Sequence, residues 1–308
     1  MFYISLVILG VLFLYLGAEL LVRSSCRLAL FFGLSPMIVG LTILAFATSM
    51  PETISAVVAQ LQQNASDIVM GDVIGSNIAN IGLIGCLVLA IFPQAIPKQI
   101  RYREMPVLLA SALFLTAVMA KGQILRSDGL ILLLMFLGIF ALQFFLEKKN
   151  PHKVILPTGY SHRPIWDLLL LAGGILLLFG GAYALIKGAI GLASWWGVQQ
   201  RIIALIVVAI GTSLPEMATS LVAAIRHEKE MAIGNLIGSN IFNGLFIIAI
   251  ASFVQPLTFS RHFFNIDVPV MFFFMFFLWM LSFVPIKMVR SLSIAGLIGY
   301  LGYISFLL

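Results

Sequence analysis

Charge is what this 308-residue chain has least of. Asp, Glu, Lys and Arg make up 10% of it, against 61% hydrophobic residues, whereas a soluble domain carries about 25% charged residues. That shortage excludes a soluble globular class, and no region is polar enough to form a separate soluble domain. Cysteine is nearly absent too. Cys26 and Cys86 lie in or beside apolar sequence, without the spacing or company of a metal site, and read as unpaired packing residues. The four histidines, His152, His162, His227 and His262, fall in or beside predicted loops, which argues against a histidine ligand inside the apolar segments. The net charge of +6 resides in basic residues between the apolar runs. It therefore reports membrane topology, not nucleic-acid binding. The N-terminal run lacks a basic n-region and a clear small-residue cleavage site, so it reads as a first helix.

What is present is a series of apolar runs of roughly 17–25 residues, each long enough to cross a ~30 Å hydrocarbon core as a helix. Ten helices are predicted, over 2–22, 35–61, 67–92, 105–120, 128–146, 166–187, 200–226, 231–253, 267–284 and 290–307. The polar connection at 147–165 divides them into two groups of five. With the N-terminus outside, the inner connections hold 13 Lys and Arg residues, among them Arg23, Arg27, Lys98, Arg101, Arg103 and Arg226, and the outer ones hold 5. The positive-inside rule then places both termini outside and the 147–165 loop in the cytoplasm. The expected location is a cell (inner) membrane, with the lipid bilayer as surroundings and no nucleic-acid or protein partner.

The two groups are repeats. At an offset of 164, residues 40–61 match 204–225 at 8 of 22 positions, and at an offset of 163, residues 70–85 match 233–248 at 8 of 16. The same register pairs Gly17 with Gly181, Ala18 with Ala182 and Gly33 with Gly197. Five is an odd number, so the second copy enters the membrane from the opposite side. The expected fold is therefore an all-α integral membrane protein of ten transmembrane helices in two inverted-topology five-helix repeats: 1–146, a linker at 147–165, and 166–308.

Two phrases carry most of the identity. The first is T-S-x-P-E, at Thr48, Ser49, Pro51 and Glu52 and again at Thr212, Ser213, Pro215 and Glu216; the second is G-x-x-x-G-S-N-I-x-N, at 71–80 and 234–243. Proline has no N–H and clashes with the carbonyl four residues back, so helices 2 and 7 should kink or break. Carbonyls around 45–48 and 209–212 then lose their usual partners, which in an apolar phase costs several kcal/mol per group unless something satisfies them. A buried Glu costs roughly 2.5 kcal/mol or more, and no Lys or Arg lies within either phrase. A bound cation answers both needs. Two bidentate carboxylates and two freed carbonyls give six oxygens, the lower end of what Ca²⁺ takes, and hard oxygen ligands argue against zinc or copper. Ser76 with Asn80, and Ser239 with Asn243, are spaced to line one helical face each, where neutral oxygens could hold monovalent ions. Gly71, Gly75, Gly234 and Gly238 form small surfaces suited to close helix approach. Glu19, four residues before Arg23, reads as a structural ion pair.

At these residues the chain resembles the cation/calcium exchanger superfamily, and most of all its prokaryotic sodium/calcium exchangers. The resemblance covers nearly the whole chain. It implies a site at the membrane centre between helices 2, 3, 7 and 8, where Na⁺ exchanges for Ca²⁺ by alternating access. Carried over by motif, the ligands are Thr48, Ser49 and Glu52, Thr212, Ser213 and Glu216, then Ser76, Asn80, Ser239 and Asn243, with carbonyls at Ala45 and Ala209. Ca²⁺ and Na⁺ are cargo, no cofactor is implied, and the activity is transport and not enzymatic. The short central loop leaves no room for the regulatory Ca²⁺-binding domain of animal relatives.

This chain also departs from the family pattern. Some members carry Asp where Asn243 stands, and Ala47 replaces a usual Gly. Asp72 replaces a residue usually neutral, and its counterpart is Asn235. Asp72 could face the pathway one turn from Ser76 or sit at the interface where helix 3 begins. Three rival readings remain. A proton/Ca²⁺ exchanger on the same fold is disfavoured because such relatives carry Glu in the helix 3 and 8 motifs. A passive cation channel fits inverted repeats with broken helices less well. An intramembrane hydrolase needs unlike acid and base roles, which matched Glu residues do not offer.

Overall fold

The computed structural model describes residues 2–63, 65–149, 164–196 and 211–307. Among them, nine helices are long and apolar enough to cross a membrane: α1 (Phe2–Phe32), α2 (Pro36–Leu61), α3 (Ser66–Ile91), α4 (Ile100–Met119), α5 (Arg126–Glu147), α6 (Pro164–Trp195), α8 (Lys229–Val254), α9 (Phe263–Leu281) and α10 (Ile286–Leu307). The shorter apolar helix α7 (Leu214–Ile225) lies between α6 and α8; the start of the helix predicted over 200–226 lies outside the described residues. The only sheet among the described residues is one antiparallel pair, β1 (Gln123–Ile124) with β2 (Leu257–Thr258).

Hydropathy misplaced several helix ends. α1 is expected to stop at residue 22 but continues to Phe32, and its basic residues each pair with a carboxylate. Arg23 pairs with Glu19 at 2.5 Å and Arg27 with Asp167 at 2.6 Å. α6 likewise runs to Trp195. α4 begins at Ile100, not 105, since Glu104 is fully buried against Arg103 at 2.6 Å. Arg23, Arg27, Arg101 and Arg103, expected in connections, therefore lie within helices.

Wide π turns recur at matched places. They occupy Gly40–Leu44 in α2, Asn80–Gly85 in α3 and Phe242–Ile247 in α8. Two more open α4, at Ile100–Glu104, and α9, at Phe263–Asp267. The last pair has a direct cause. Pro106 and Pro269 each follow two residues after the segment, and each ring pushes against the carbonyl four residues back, so the preceding turn widens.

The described residues pack as two compact units, each drawing on both halves of the sequence. One comprises the chain up to Thr48 with Leu142–Asn235; the other comprises Ser49–Ala141 with Leu236–Leu307.

In the first unit α1 and α6 run antiparallel in backbone contact. Cβ atoms added at Gly10, Gly17, Gly174 and Gly181 would fall 2.5–2.8 Å, or at Gly174 2.9 Å, from backbone atoms of the facing helix. α2 and α8 make a second such crossing. A Cβ at Gly40 would meet the Met231 carbonyl at 2.4 Å, and one at Gly234 the Met37 carbonyl at 2.6 Å. Glu19 also pairs with Arg226, joining the middle of α1 to the end of α7. The start of α2 is held by Ser35, whose N–H donates to buried Glu147 at 2.8 Å and whose Oγ accepts from Ile38 N–H.

In the second unit α3 packs on α9, with the Phe274 ring 3.0 Å from where a Cβ on Gly82 would sit. Cys86 lies against Gly296 of α10; it and Cys26 are both free. Ser66 accepts hydrogen bonds from Gln60 and from the Thr258 N–H, tying the start of α3 to β2. The Arg101 guanidinium lies 4.7 Å over the Phe283 ring and donates to the Ser282 carbonyl, while the Trp279 indole donates to the Arg101 carbonyl at 2.9 Å. The expected close approach at Gly71 and Gly75 is absent. A Cβ on Gly71 would make ordinary contact with Phe263 at 3.6 Å, and nothing lies within 4 Å of one on Gly75.

The close crossing of α2 and α8 predicts a contrast between two glycines. Gly234→Val should cost about 1–3 kcal/mol of stability, the usual range for overpacking, and lower the thermal midpoint of purified protein in detergent. Gly75→Ala should not lower it. Equal midpoints for the two variants would refute the close approach at Gly234.

Candidate functional site

The two proline phrases break their helices where the chemistry of proline requires. α2 is interrupted at Ser49 and resumes at Met50. In the second copy Thr212 and Ser213 form a turn and α7 begins at Leu214. Glu52 and Glu216 thus each occupy the first turn of a resumed helix. Both are wholly buried, at 0% exposure. A helix start offers unpaired N–H groups and the positive end of the macrodipole, which favours a carboxylate there. The remaining desolvation must be met by something else.

In the first unit, Ala45 and Thr48 of α2 are buried, as are Ser213 and Glu216. The Thr48 hydroxyl lies 3.4 Å from the Ala45 carbonyl and 3.5 Å from Asn235 Oδ1. Thr212 is half-buried, and Ala209 lies outside the described residues. In the second unit, Ser49, Glu52, Ser76, Asn80, Ser239 and Asn243 are all buried. Here the structure joins two expected ligands directly. Asn243 Nδ2 donates to Ser76 Oγ at 3.0 Å, bridging α3 and α8. Ser76 in turn gives its proton to the Val73 carbonyl at 3.2 Å. Asn243 therefore presents its Oδ1, which has no hydrogen-bond partner among the described residues, and Asn80 has partners there for neither Oδ1 nor Nδ2. Asn80 opens one π turn and Asn243 sits in the matching one, a backbone form that recurs at functional sites. The arrangement offers neutral amide oxygens, hydroxyls and carboxylates, a hard-oxygen set.

Asp72 is buried on α3, six residues beyond its start at Ser66. Sequence reasoning passed over Asn235, Thr219 and Ser220, a buried hydrogen-bonded group on α8 and α7. The signal for Asn235 was its register, one repeat beyond Asp72.

A family model described as sodium/calcium exchanger protein matches residues 2–145 and 166–308. The chain belongs to the sodium/calcium exchanger family. It is a transporter and not an enzyme, and an integral membrane protein. Among its relatives, the inner membrane protein YrbG of Escherichia coli (strain K12) is 30% identical over 272 residues, 83% of each chain. The sodium/calcium exchanger MaX1 of Methanosarcina acetivorans is 28% identical over 309 residues, covering 86% of this chain and 87% of its own. The solved structure of the sodium-calcium exchanger NCX_Mj, soaked with 2.5 mM Na⁺ and 0.1 mM Ca²⁺, superposes with a TM-score of 0.83 at 29% identity, over 99% of this chain and 98% of that one. The helical architecture of this exchanger is therefore that of the NCX_Mj fold.

The unmatched amide of Asn80 generates a prediction that separates function from packing. An unsatisfied buried polar group costs roughly 1–3 kcal/mol. Asn80→Leu should therefore raise the thermal midpoint of ion-free protein, by about 2 °C or more, while reducing the further rise that Ca²⁺ produces in wild type. A lowered ion-free midpoint with the Ca²⁺ response intact would make Asn80 a packing residue.

Proposed function

We propose that this exchanger is a secondary antiporter that moves Ca²⁺ against Na⁺ by alternating access. The observation that carries the reading is the burial of Glu52 and Glu216, each in the first turn beyond a matched helix break, in a chain of this family. In this reading the two carboxylates are the main Ca²⁺ ligands and are shared in turn with Na⁺. Thr48, Ser49, Thr212, Ser213, Ser76, Asn80, Ser239 and Asn243 complete the set, with the carbonyls of Ala45 and Ala209. The ions are cargo, not resident cofactors. Two ionised carboxylates match one divalent charge, which removes the cost of burying them whenever the ion is present. The likeness to the sodium/calcium exchangers MaX1 and NCX_Mj supports Na⁺ as the coupling ion. The two sequence copies, 1–146 and 166–308, are taken as inverted repeats joined by a cytoplasmic linker at 147–165, with both termini outside a cell (inner) membrane. The excess of basic residues in the inner connections supports that orientation.

The reading is tested with proteoliposomes loaded with Na⁺ and diluted into Na⁺-free, K⁺ or pH-jump buffers containing ⁴⁵Ca²⁺. Uptake should require the outward Na⁺ gradient; uptake driven by pH alone would assign proton coupling, and uptake under neither gradient a channel. Glu52→Gln and Glu216→Gln should each abolish the Na⁺-driven signal, and near-normal flux in either variant would refute the site. Asp72→Asn should shift apparent ion affinity only mildly, so loss of transport would promote Asp72 to a ligand.

A further inference from the structure

Asn235 on α8 is fully buried and is not among the proposed ligands, yet its amide is the hub of the polar contacts around Thr48. Its Nδ2 donates to Thr219 Oγ1 and to Ser220 Oγ, at 3.1 Å each. The proton of Thr219 is already committed. Its Oγ1 donates to the Pro215 carbonyl at 2.8 Å and lies 3.1 Å from the Glu216 carbonyl. Thr219 can therefore offer Asn235 only a lone pair, which fixes the amide with its nitrogen toward α7. The amide oxygen then faces Thr48, whose Oγ1 stands 3.5 Å away. The α2–α8 crossing holds this geometry, since the Asn235 backbone N lies 3.0 Å from where a Cβ on Gly40 would sit.

We infer that Asn235 is a positioning residue that draws the Thr48 proton inward, so that the hydroxyl presents lone pairs to the transported cation. The inference rests on the proposed role of Thr48 as a ligand. A hydroxyl has one proton and two lone pairs, and it ligates a cation only through the latter. Asn235 Oδ1 and the Ala45 carbonyl each lie within 3.5 Å as acceptors for the proton. A bound cation polarises the hydroxyl and strengthens that donation, so the long contact to Asn235 shortens on loading. The matched residue of the first copy, Asp72, also carries an acceptor oxygen at its side-chain end.

The test is a double-mutant cycle on Na⁺-driven ⁴⁵Ca²⁺ uptake, reading apparent Ca²⁺ KM and maximal rate separately, with thermal midpoints measured alongside. Asn235→Leu should raise the KM roughly five- to tenfold, the scale of one lost hydrogen bond, with a smaller change in maximal rate. Thr48→Val should raise it comparably, and the double variant no further, because both act on one hydroxyl. If Asn235→Leu does not fold, Thr219→Val combined with Ser220→Ala carries the same test: it leaves Asn235 in place but frees its amide to turn, and KM should rise. An unchanged KM in folded Asn235→Leu or in the Thr219/Ser220 variant overturns the inference, as do effects that multiply in the double variant. An unchanged KM in Thr48→Val instead overturns Thr48 as a ligand, and with it the reading beneath the inference.

Discussion

Glu52 and Glu216 are carboxylates with no exposure at all, in a chain built to sit in hydrocarbon, and the surrounding architecture is arranged to make that tolerable. An ionised carboxylate in an apolar phase needs dipoles, hydrogen-bond donors or a counter-charge. The helix breaks at Ser49 and at Thr212–Ser213 put each Glu in the first turn of a helix, at the positive end of its macrodipole. They also release backbone carbonyls, which repel a carboxylate but welcome a cation. In the proposed reading one local device thus creates both halves of a cation site, and proline creates the device. The counter-charge is then left to a mobile ion, which is what a transporter requires of a site that must also be emptied.

A site that changes occupant needs a frame that does not collapse when it is empty. The contacts within each unit show how the frame is made without polar cost. In the first unit, Gly10 and Gly17 meet Gly174 and Gly181, and Gly40 meets the α8 segment carrying Gly234. Apolar association gives helices little net drive inside a membrane, so backbone-to-backbone packing must supply it. Ion pairs complete the frame. Glu19 holds Arg23 and Arg226, and Asp167 holds Arg27. Such pairs are expendable in water, but where solvent is scarce an unpartnered charge is costly.

Much of this was legible in the chain itself because its causes are local. A proline interrupts a helix whatever surrounds it, so the breaks before Pro51 and Pro215 follow from two residues. Glu19 and Arg23 are one turn apart, and their pairing needs nothing else. The second partner of Glu19, Arg226, lies 207 positions away and belongs to tertiary structure. The same holds for Glu147 at the Ser35 N–H. Helix ends were misjudged where hydropathy fell but helix continued, as at Arg27, whose partner Asp167 is distant in sequence. The glycine pattern held in one copy and not in the other. Gly234 does meet a facing backbone, that of α2, whereas Gly71 and Gly75 have the same spacing and no tight neighbour, because spacing does not say which face meets another helix.

The two copies are not equivalent, and their differences bear on charge. In the proposed reading the ion-bearing set contains two carboxylates, with amides at Asn80 and Asn243. One Ca²⁺ or two Na⁺ neutralise two carboxylates; any further monovalent ion leaves net positive charge in a low-dielectric surrounding, where it is expensive. A third carboxylate at position 243 would move that balance by one charge. Asn243 instead donates to Ser76 and leaves its buried oxygen without a hydrogen-bond partner among the described residues, which in that reading keeps the ligand while omitting the charge. The extra acid of this chain lies elsewhere, at Asp72, where the second copy has Asn235 locked by Thr219 and Ser220. An amide can be fixed by donating and accepting at once; a carboxylate only accepts. At this register the second copy therefore holds a neutral amide fixed through both its nitrogen and its oxygen, and the first an acid.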